Sequence, residues 1–435
     1  MKLNWFGPVP PARTAIADVT RRVAPALKER FELTIWTDTE EFDPFLAEGI
    51  PVRSCRQPEN LWPDANFSDF SVYHIGNDAR FHATYAELCE QHRGVVVFHD
   101  FNLLELHRER FLPQENGQQL FERYVLHREG AEAFEAVRRH TEGELTFPEL
   151  VEAVPLVRSM AANATGVISF NPSMVSALKE MTRAPILYCP LPVGPEAGIP
   201  DPPARKYDDR LLELVMFGFL NSPNRRLNEV LEAVASFDAH QVRLTLFGHI
   251  EHREAFDKLL RQYSLNDRVV FRGFLSPGEM EEVLRSAHLA INLRNPSRGE
   301  SSDALLQAWK HALPMLVTDT GYYATLPDET VFKAAPGDEV QAVRNAVASF
   351  REDPESGFAR GKAGHTYLRR HHSAEAFAET LERFLREAVA YRLRSFAPSF
   401  SRRLGRLVRE DFPEASVRRH LRARVSGEIS SWMRG

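Results

Sequence analysis

From Asn295 to Asp319 the chain reads NPSRGESSDALLQAWKHALPMLVTD, with Gly299, Glu300, Ser301 and Ser302 at the turn between an apolar run and a helix-like segment. A glycine permits close backbone approach, and serines opening a helix leave backbone N–H groups free to meet an anion. An ordinary N-cap, with Glu300 in the first turn, fits the same residues. His99 and Asp100 close the run VVVF, where a His-Asp pair serves either a cleft or a purely structural hydrogen bond. Asn77 and Asp78 follow VYHIG and read equally as cleft residues or as a β-turn. Arg225, in NSPNRR, is a cation suited to a phosphate, while its neighbour Arg226 reads as part of a solvated helix face.

Other chemistries are excluded. Neither FGPVPPARTA nor FGFLNSPNRR supplies G-x-G-x-x-G, and neither a P-loop nor H-E-x-x-H occurs. The pair His371-His372 has no carboxylate or cysteine at ligand spacing, so no metal is expected. No Ser-His-Asp or Cys-His set is evident.

These residues lie at the ends of short apolar runs. LNWFG, FELTIWTD, VYHIGND, VVVFHD and GVISF alternate with amphipathic segments, which predicts a parallel sheet covered by helices. A charged, helical stretch over about 111–162 reads as an insertion. The proline-rich segment LPVGPEAGIPDPPARKYDD reads as a linker, after which LLELVMFG, VRLTLFG, RVVFRG, LAINLR and MLVTD repeat the alternation. The expectation is α/β: two Rossmann-like doubly wound domains, 1–193 and 210–385, facing across a cleft, joined by a linker at 194–209 and followed by a helical tail at 386–435. In such sheets ligands bind beyond the carboxyl ends of the strands.

The chain has 435 residues, too many for one ordinary core, and its 43% hydrophobic and 26% charged residues fit a globular protein. No apolar run approaches the ~20 residues that span a bilayer. MKLNWFGPVPP reaches prolines before an export-signal core forms, so a cytoplasmic protein is expected. Cys55, Cys89 and Cys189 are scattered and odd in number, which argues for a reducing compartment. The net charge of −6 divides into +7 from Tyr391 to Gly435 and −13 before it.

The order GPVPPARTAIAD, VYHIGND, GVVVFHDFNL, FGFLNSPNRRLNEVLEA, VVFRGFLS, INLRNPSRGESSDALLQAW and VTDTGYYATLPDE resembles the retaining glycosyltransferases of family 4, which have the GT-B fold. The resemblance covers roughly residues 1–385 and is nearest the bacterial branch with a G-E-T-S-G-like donor loop. It implies transfer of a sugar from a nucleotide-diphosphate sugar to a glycan or lipid-linked acceptor, in cell-surface polysaccharide or glycoconjugate synthesis, with no metal cofactor. It further implies that Glu300 contacts sugar hydroxyls and that the N–H groups of Ser301 and Ser302 meet the diphosphate. His99 then orients the donor and stabilises the oxocarbenium ion, with Asp100 as its positioning partner. Arg225 neutralises the diphosphate, Arg294 or Arg298 supplies a second cation because Gly218 is followed by Phe219, and Gln307 meets the ribose. Arg13 and Thr14 belong to a phosphate loop, Asn77 lines the same cleft, and backbone near Arg272 and Gly273 selects the base. Four residues depart from the family pattern: Gln307 replaces a glutamate, and Ala15, Ala312 and Asp303 replace glycines. Asp303 is expected to face solvent, since a carboxylate would repel the diphosphate.

The arginine-rich tail places Phe400, Leu404 and Leu407, and then Val417, Leu421 and Val425, on one helical face. Such a helix suits an anionic membrane at the inner face, the acidic body of its own chain, or a partner protein. An inactive GT-B binding or scaffold protein is the alternative function. Nucleic-acid binding through the tail lacks aromatic interleaving and a recognisable module.

Overall fold

The computed structural model describes residues 1–411 apart from 47–48, 57, 196–198, 200, 202–203, 208–210 and 221. The N-terminal sheet comprises β1 (Lys2–Phe6), β2 (Glu32–Thr37), β3 (Phe45–Leu46), β4 (Ile50–Ser54), β5 (Phe70–Ile75), β6 (Val95–Phe98), β7 (Gly166–Ser169) and β8 (Ile186–Tyr188), in the order β3-β4-β2-β1-β5-β6-β7-β8. All pairings are parallel except that of β3 with β4. The central strands β5, β6 and β7 are buried along their whole length, as helices on both faces require.

The C-terminal sheet comprises β9 (Leu212–Phe219), β10 (Val242–His249), β11 (Val269–Phe271), β12 (Leu289–Asn292), β13 (Met315–Thr318) and β14 (Phe332–Ala334), all parallel, in the order β11-β10-β9-β12-β13-β14. Its order reverses between β9 and β12, which opens a crevice at the carboxyl ends of those two strands. One face of each sheet has its own apolar cluster. A third cluster is continuous across the molecule, running from Leu3, Val72 and Phe170 through Phe377 and Phe384 to Val215, Leu305 and Trp309.

Sequence patterning missed β3, β4, β8 and β14. β3 has two residues, β8 and β14 have three, and β4 carries Pro51, so none displays a full apolar period. The helical run after β6 begins at Leu104, earlier than 111, and comprises Leu104–Phe111, Gly117–Glu129, Ala131–Thr141, Phe147–Ala153 and Arg158–Asn163.

The boundary expected at 386 falls inside one continuous helix, Ala374–Asp411. Its first turns return to the N-terminal domain. Phe384 and Ala388 lie against Gly166, where a Cβ would meet the Phe384 ring at 2.9 Å, and Glu382 accepts from Arg30 at 2.9 Å. This segment is therefore part of the core, and only later residues could form a separate tail. The apolar positions on which the amphipathic reading rests lie outside the described side chains. Among the described residues no helix is long and apolar enough to cross a membrane, and all three cysteines are free and buried.

Candidate functional site

The loop after β12 is built on a buried polar hub. Asn292 ends the apolar strand LAIN and is 1% exposed. Its Oδ1 accepts from Arg225 Nη1 at 2.6 Å, and its Nδ2 donates to Ser302 Oγ at 2.8 Å and to the Tyr323 hydroxyl at 2.7 Å. Ser302 Oγ also accepts from Leu305 N–H at 3.1 Å, so Ser302 caps the helix Asp303–Lys310. The N-cap reading therefore holds for Ser302. It does not hold for Glu300, which lies before the helix, accepts from Arg298 N–H at 2.6 Å and pairs with Arg294 Nε at 3.0 Å. The N–H groups of Ser301, Ser302 and Asp303 have no acceptor among the described residues. Free N–H groups and the positive end of a helix dipole make an anion site.

Arg225 lies beside that helix end. It is 2% exposed, also donates to the Phe217 carbonyl, leaves Nε without a protein partner, and meets no acid among the described residues. A buried guanidinium is ordinarily paired with an acid. Gly218, next to it, has φ +104°, which only glycine adopts without strain.

On the opposite wall, His99 follows β6 and its Nε2 lies 2.8 Å from Nδ1 of His74 in β5. Asp100 is not its partner: Asp100 Oδ2 accepts from Asn77 N–H at 2.8 Å. Burial, with the adjacent His74 and His82, holds His99 well below the ordinary histidine value, so the ring is neutral. Burial, and then the nearby Glu300 carboxylate, pushes Asp100 up to about 6. Asn77 is engaged in structure, because Nδ2 donates to Glu105 at 2.8 Å and Oδ1 accepts from Leu106 N–H at 3.2 Å. It pins the start of the helix Leu104–Phe111 instead of offering its amide to the cleft. Asp78 caps the helix Ala79–Gln91.

The two domains touch through the GES loop itself. Phe101 N–H donates to the Arg298 carbonyl at 3.0 Å, Asn171 Nδ2 donates to the Gly299 carbonyl at 3.1 Å, and a Cβ on Gly299 would collide with Phe101. The glycine thus admits a residue of the facing domain, where a ligand was expected.

Arg298 pairs with Glu105 at 2.7 Å, and Arg294 with Glu300, so both proposed replacement cations already hold acids. Asp303 does not face solvent. Arg22, in the helix Ala15–Lys28, grips it at 2.5 Å from the other domain, and the Gln307 amide lies 3.4 Å from its carboxylate. The like-charge problem foreseen for Asp303 is met by a cation instead of exposure. Arg226 departs from the solvated-face reading and pairs with Glu229 at 2.7 Å and with the buried Glu339 at 3.6 Å.

Thr14 caps the helix Ala15–Lys28, and Arg13 lies 5.5 Å from the Phe274 ring across the cleft. Arg272 and Gly273 follow β11 with their backbone tied to β10 at Leu246 and Gly248. Ala312, where the resemblance places glycine, has φ +47°. His372 Nδ1 lies 2.7 Å from the Leu191 carbonyl, a structural role. The residues missed in sequence are His74, Asn292, Arg22, Glu105 and Asn171. The first two carried a signal, a polar residue inside an otherwise apolar strand.

Residues 212–353 match the family model described as Glycosyl transferases group 1. No curated protein matches the chain. Among solved structures, Anabaena Alr3699/HepE in complex with UDP is 13% identical, with 88% of this chain and 99% of that chain covered and a TM-score of 0.59. Sucrose-phosphate synthase from Thermosynechococcus elongatus is 15% identical, with 90% and 100% covered and a TM-score of 0.58. WaaG, a glycosyltransferase involved in lipopolysaccharide biosynthesis, is 12% identical, with 87% and 99% covered and a TM-score of 0.57. The chain has the GT-B fold. Within it, Arg225 and the GES loop lie in the segment that the family model matches, while His99, His74 and Arg22 lie outside it.

Proposed function

We propose that this GT-B chain is a retaining glycosyltransferase that moves a sugar from a nucleotide-diphosphate sugar to a glycan or lipid-linked acceptor, in cell-surface polysaccharide or glycoconjugate synthesis. The observation that carries the reading is Arg225, a buried guanidinium without an acid partner among the described residues, beside a helix N-terminus whose first N–H groups likewise meet no acceptor there. Together they suit a diphosphate, whose charge grows as it leaves the sugar. The leaving diphosphate then assists removal of the acceptor proton on the same face, so no side-chain nucleophile is needed. Glu300, held by Arg294 and Arg298 N–H, presents its carboxylate towards the sugar hydroxyls, and neutral His99 supplies a hydrogen bond from the opposite wall. The match to Glycosyl transferases group 1, and the solved HepE complexes with UDP and UDP-glucose, support this substrate class.

The test is a thermal-shift panel of nucleotide diphosphates and nucleotide sugars, since a ligand that binds only the native state raises its apparent stability. At a hundredfold excess over Kd the gain is about 2.7 kcal/mol. UDP and UDP-glucose are the first probes, followed by release of UDP with an acceptor present. A shift without sugar transfer or donor hydrolysis would assign the chain to the inactive binding alternative, and no shift with any nucleotide would defeat the transferase reading. For the tail, we propose peripheral contact with an anionic bilayer at the cytoplasmic face. Its binding to anionic vesicles should weaken with salt and vanish on deletion after Ser395.

A further inference from the structure

We propose that His74 is a positioning residue that fixes His99 as a neutral imidazole carrying its proton on Nδ1, so that His99 meets its ligand only as a hydrogen-bond donor. His74 lies in β5 and His99 directly follows its parallel neighbour β6, and the His99 N–H donates to the Ile75 carbonyl at 2.9 Å, which sets the ring beside His74. His74 is fully buried, packs on Trp5 with ring centroids 4.2 Å apart, and accepts at its backbone carbonyl from His82 Nδ1 at 3.1 Å. His99 packs on Phe170 at 5.2 Å. Both rings are therefore held in place.

Burial drives His74 down to about 3 and His99 well below the ordinary range, so the 2.8 Å contact joins two neutral rings, one donating and one accepting. If His99 Nε2–H were the donor, the proton of His74 would sit on Nε2, which is buried without any partner among the described residues. That would orphan a buried N–H, the rarer and costlier defect. If His74 Nδ1–H is the donor, Nε2 keeps only an unused lone pair. The second arrangement wins. It occupies His99 Nε2 and leaves the proton on Nδ1. That nitrogen has no partner among the described residues and is not sealed from solvent in the half-buried ring. A ring with its lone pair engaged and its proton outward cannot serve as a base there. It can only donate to an oxygen of the bound molecule.

The activity arm of the test rests on the sugar-transfer reading, whereas the spectroscopic arm does not. In the full chain with 15N-labelled histidine, two-bond 1H–15N correlations distinguish the ring tautomers, and the His99 signals are those lost in His99→Ala. The expected pattern is Nδ1–H for His99 with no added ligand, changing to exchange between tautomers or Nε2–H in His74→Phe, which keeps the volume and removes the donor. His74→Asn, whose amide nitrogen stands near the Nδ1 position, should restore the Nδ1–H pattern. With UDP-glucose as probe, His74→Phe should lower turnover roughly three- to tenfold, the net worth of one neutral hydrogen bond. The Kd for UDP should be unchanged, and His74→Asn should recover most of the rate. An Nε2–H pattern in the wild-type protein, or one unaltered by His74→Phe, overturns the inference. Absence of any transfer in the wild-type protein would defeat the sugar-transfer reading and leave the tautomer result standing.

Discussion

Replacing Arg225 by alanine removes the cation on which the diphosphate reading depends. In the free protein the guanidinium is held by Asn292 Oδ1 at 2.6 Å and by the Phe217 carbonyl, with Nε unpaired. Truncation strands these two acceptors, yet it also removes a buried charge with no acid beside it among the described residues. The effects on folding oppose each other, so the melting temperature of the ligand-free protein should move little. Binding has no such compensation. A charge-assisted hydrogen bond contributes about 1.5–3 kcal/mol, so Arg225→Ala should raise the Kd for UDP roughly ten- to 150-fold. Arg225→Lys separates charge from shape. It keeps a cation but loses the fork that holds Asn292 and Phe217 together, and through Asn292 the Ser302 cap, so an intermediate loss is expected. Titration calorimetry with UDP at fixed ionic strength reads both variants. A folded Arg225→Ala protein whose Kd stays within about twofold of wild type would refute the assignment of Arg225 to the diphosphate.

Four further outcomes are expected. His99→Ala should reduce turnover of UDP-glucose far more than UDP affinity, because the role proposed for the ring is a hydrogen bond to the sugar and not to the diphosphate; equal losses in steady-state and binding measurements would make it a binding or structural residue. Asp100, pushed up from 3.8 to about 6, favours the folded state when protonated. Its contribution is complete below pH 3.8 and is lost as pH rises through 6, so Asp100→Asn should be more stable than wild type at pH 7, by about 1–3 kcal/mol and with a higher melting temperature, and converge with it below pH 4. A melting difference independent of pH would refute this. The Arg22 bridge to Asp303 should give a coupling of about 0.5–3 kcal/mol in a double-mutant thermal cycle; additive losses would mean that the domains do not meet there in solution. Ala312→Gly relieves a left-handed backbone and should stabilise by up to about 1 kcal/mol, and a lowered melting temperature would contradict the strain.

Much of the architecture was legible because burial on both faces writes continuous apolar runs into central parallel strands. VYHI and VVVF announce β5 and β6, whereas β3, β4, β8 and β14 are too short or too interrupted to show a period. The helix Ala374–Asp411 was divided at 386 because the family resemblance ends near 385 and the net charge reverses soon after, whereas the docking of Phe384 and Ala388 onto Gly166 is not visible in sequence.

The sequence by itself determined which residues close the strands and open the helix at the cleft: His99, Asp100, Arg225 and the GES loop. Strand ends and helix starts follow from local patterning, and a parallel sheet exposes those ends along one edge. Only the tertiary structure decided what each of them touches. Asp100 bonds to Asn77 and not to His99, Arg294 and Arg298 are taken by Glu300 and Glu105, and Asp303 meets Arg22 from 281 residues away. Hydrogen bonds and ion pairs form over about 3 Å and between chain segments of any separation, so partner choice depends on how two domains close together.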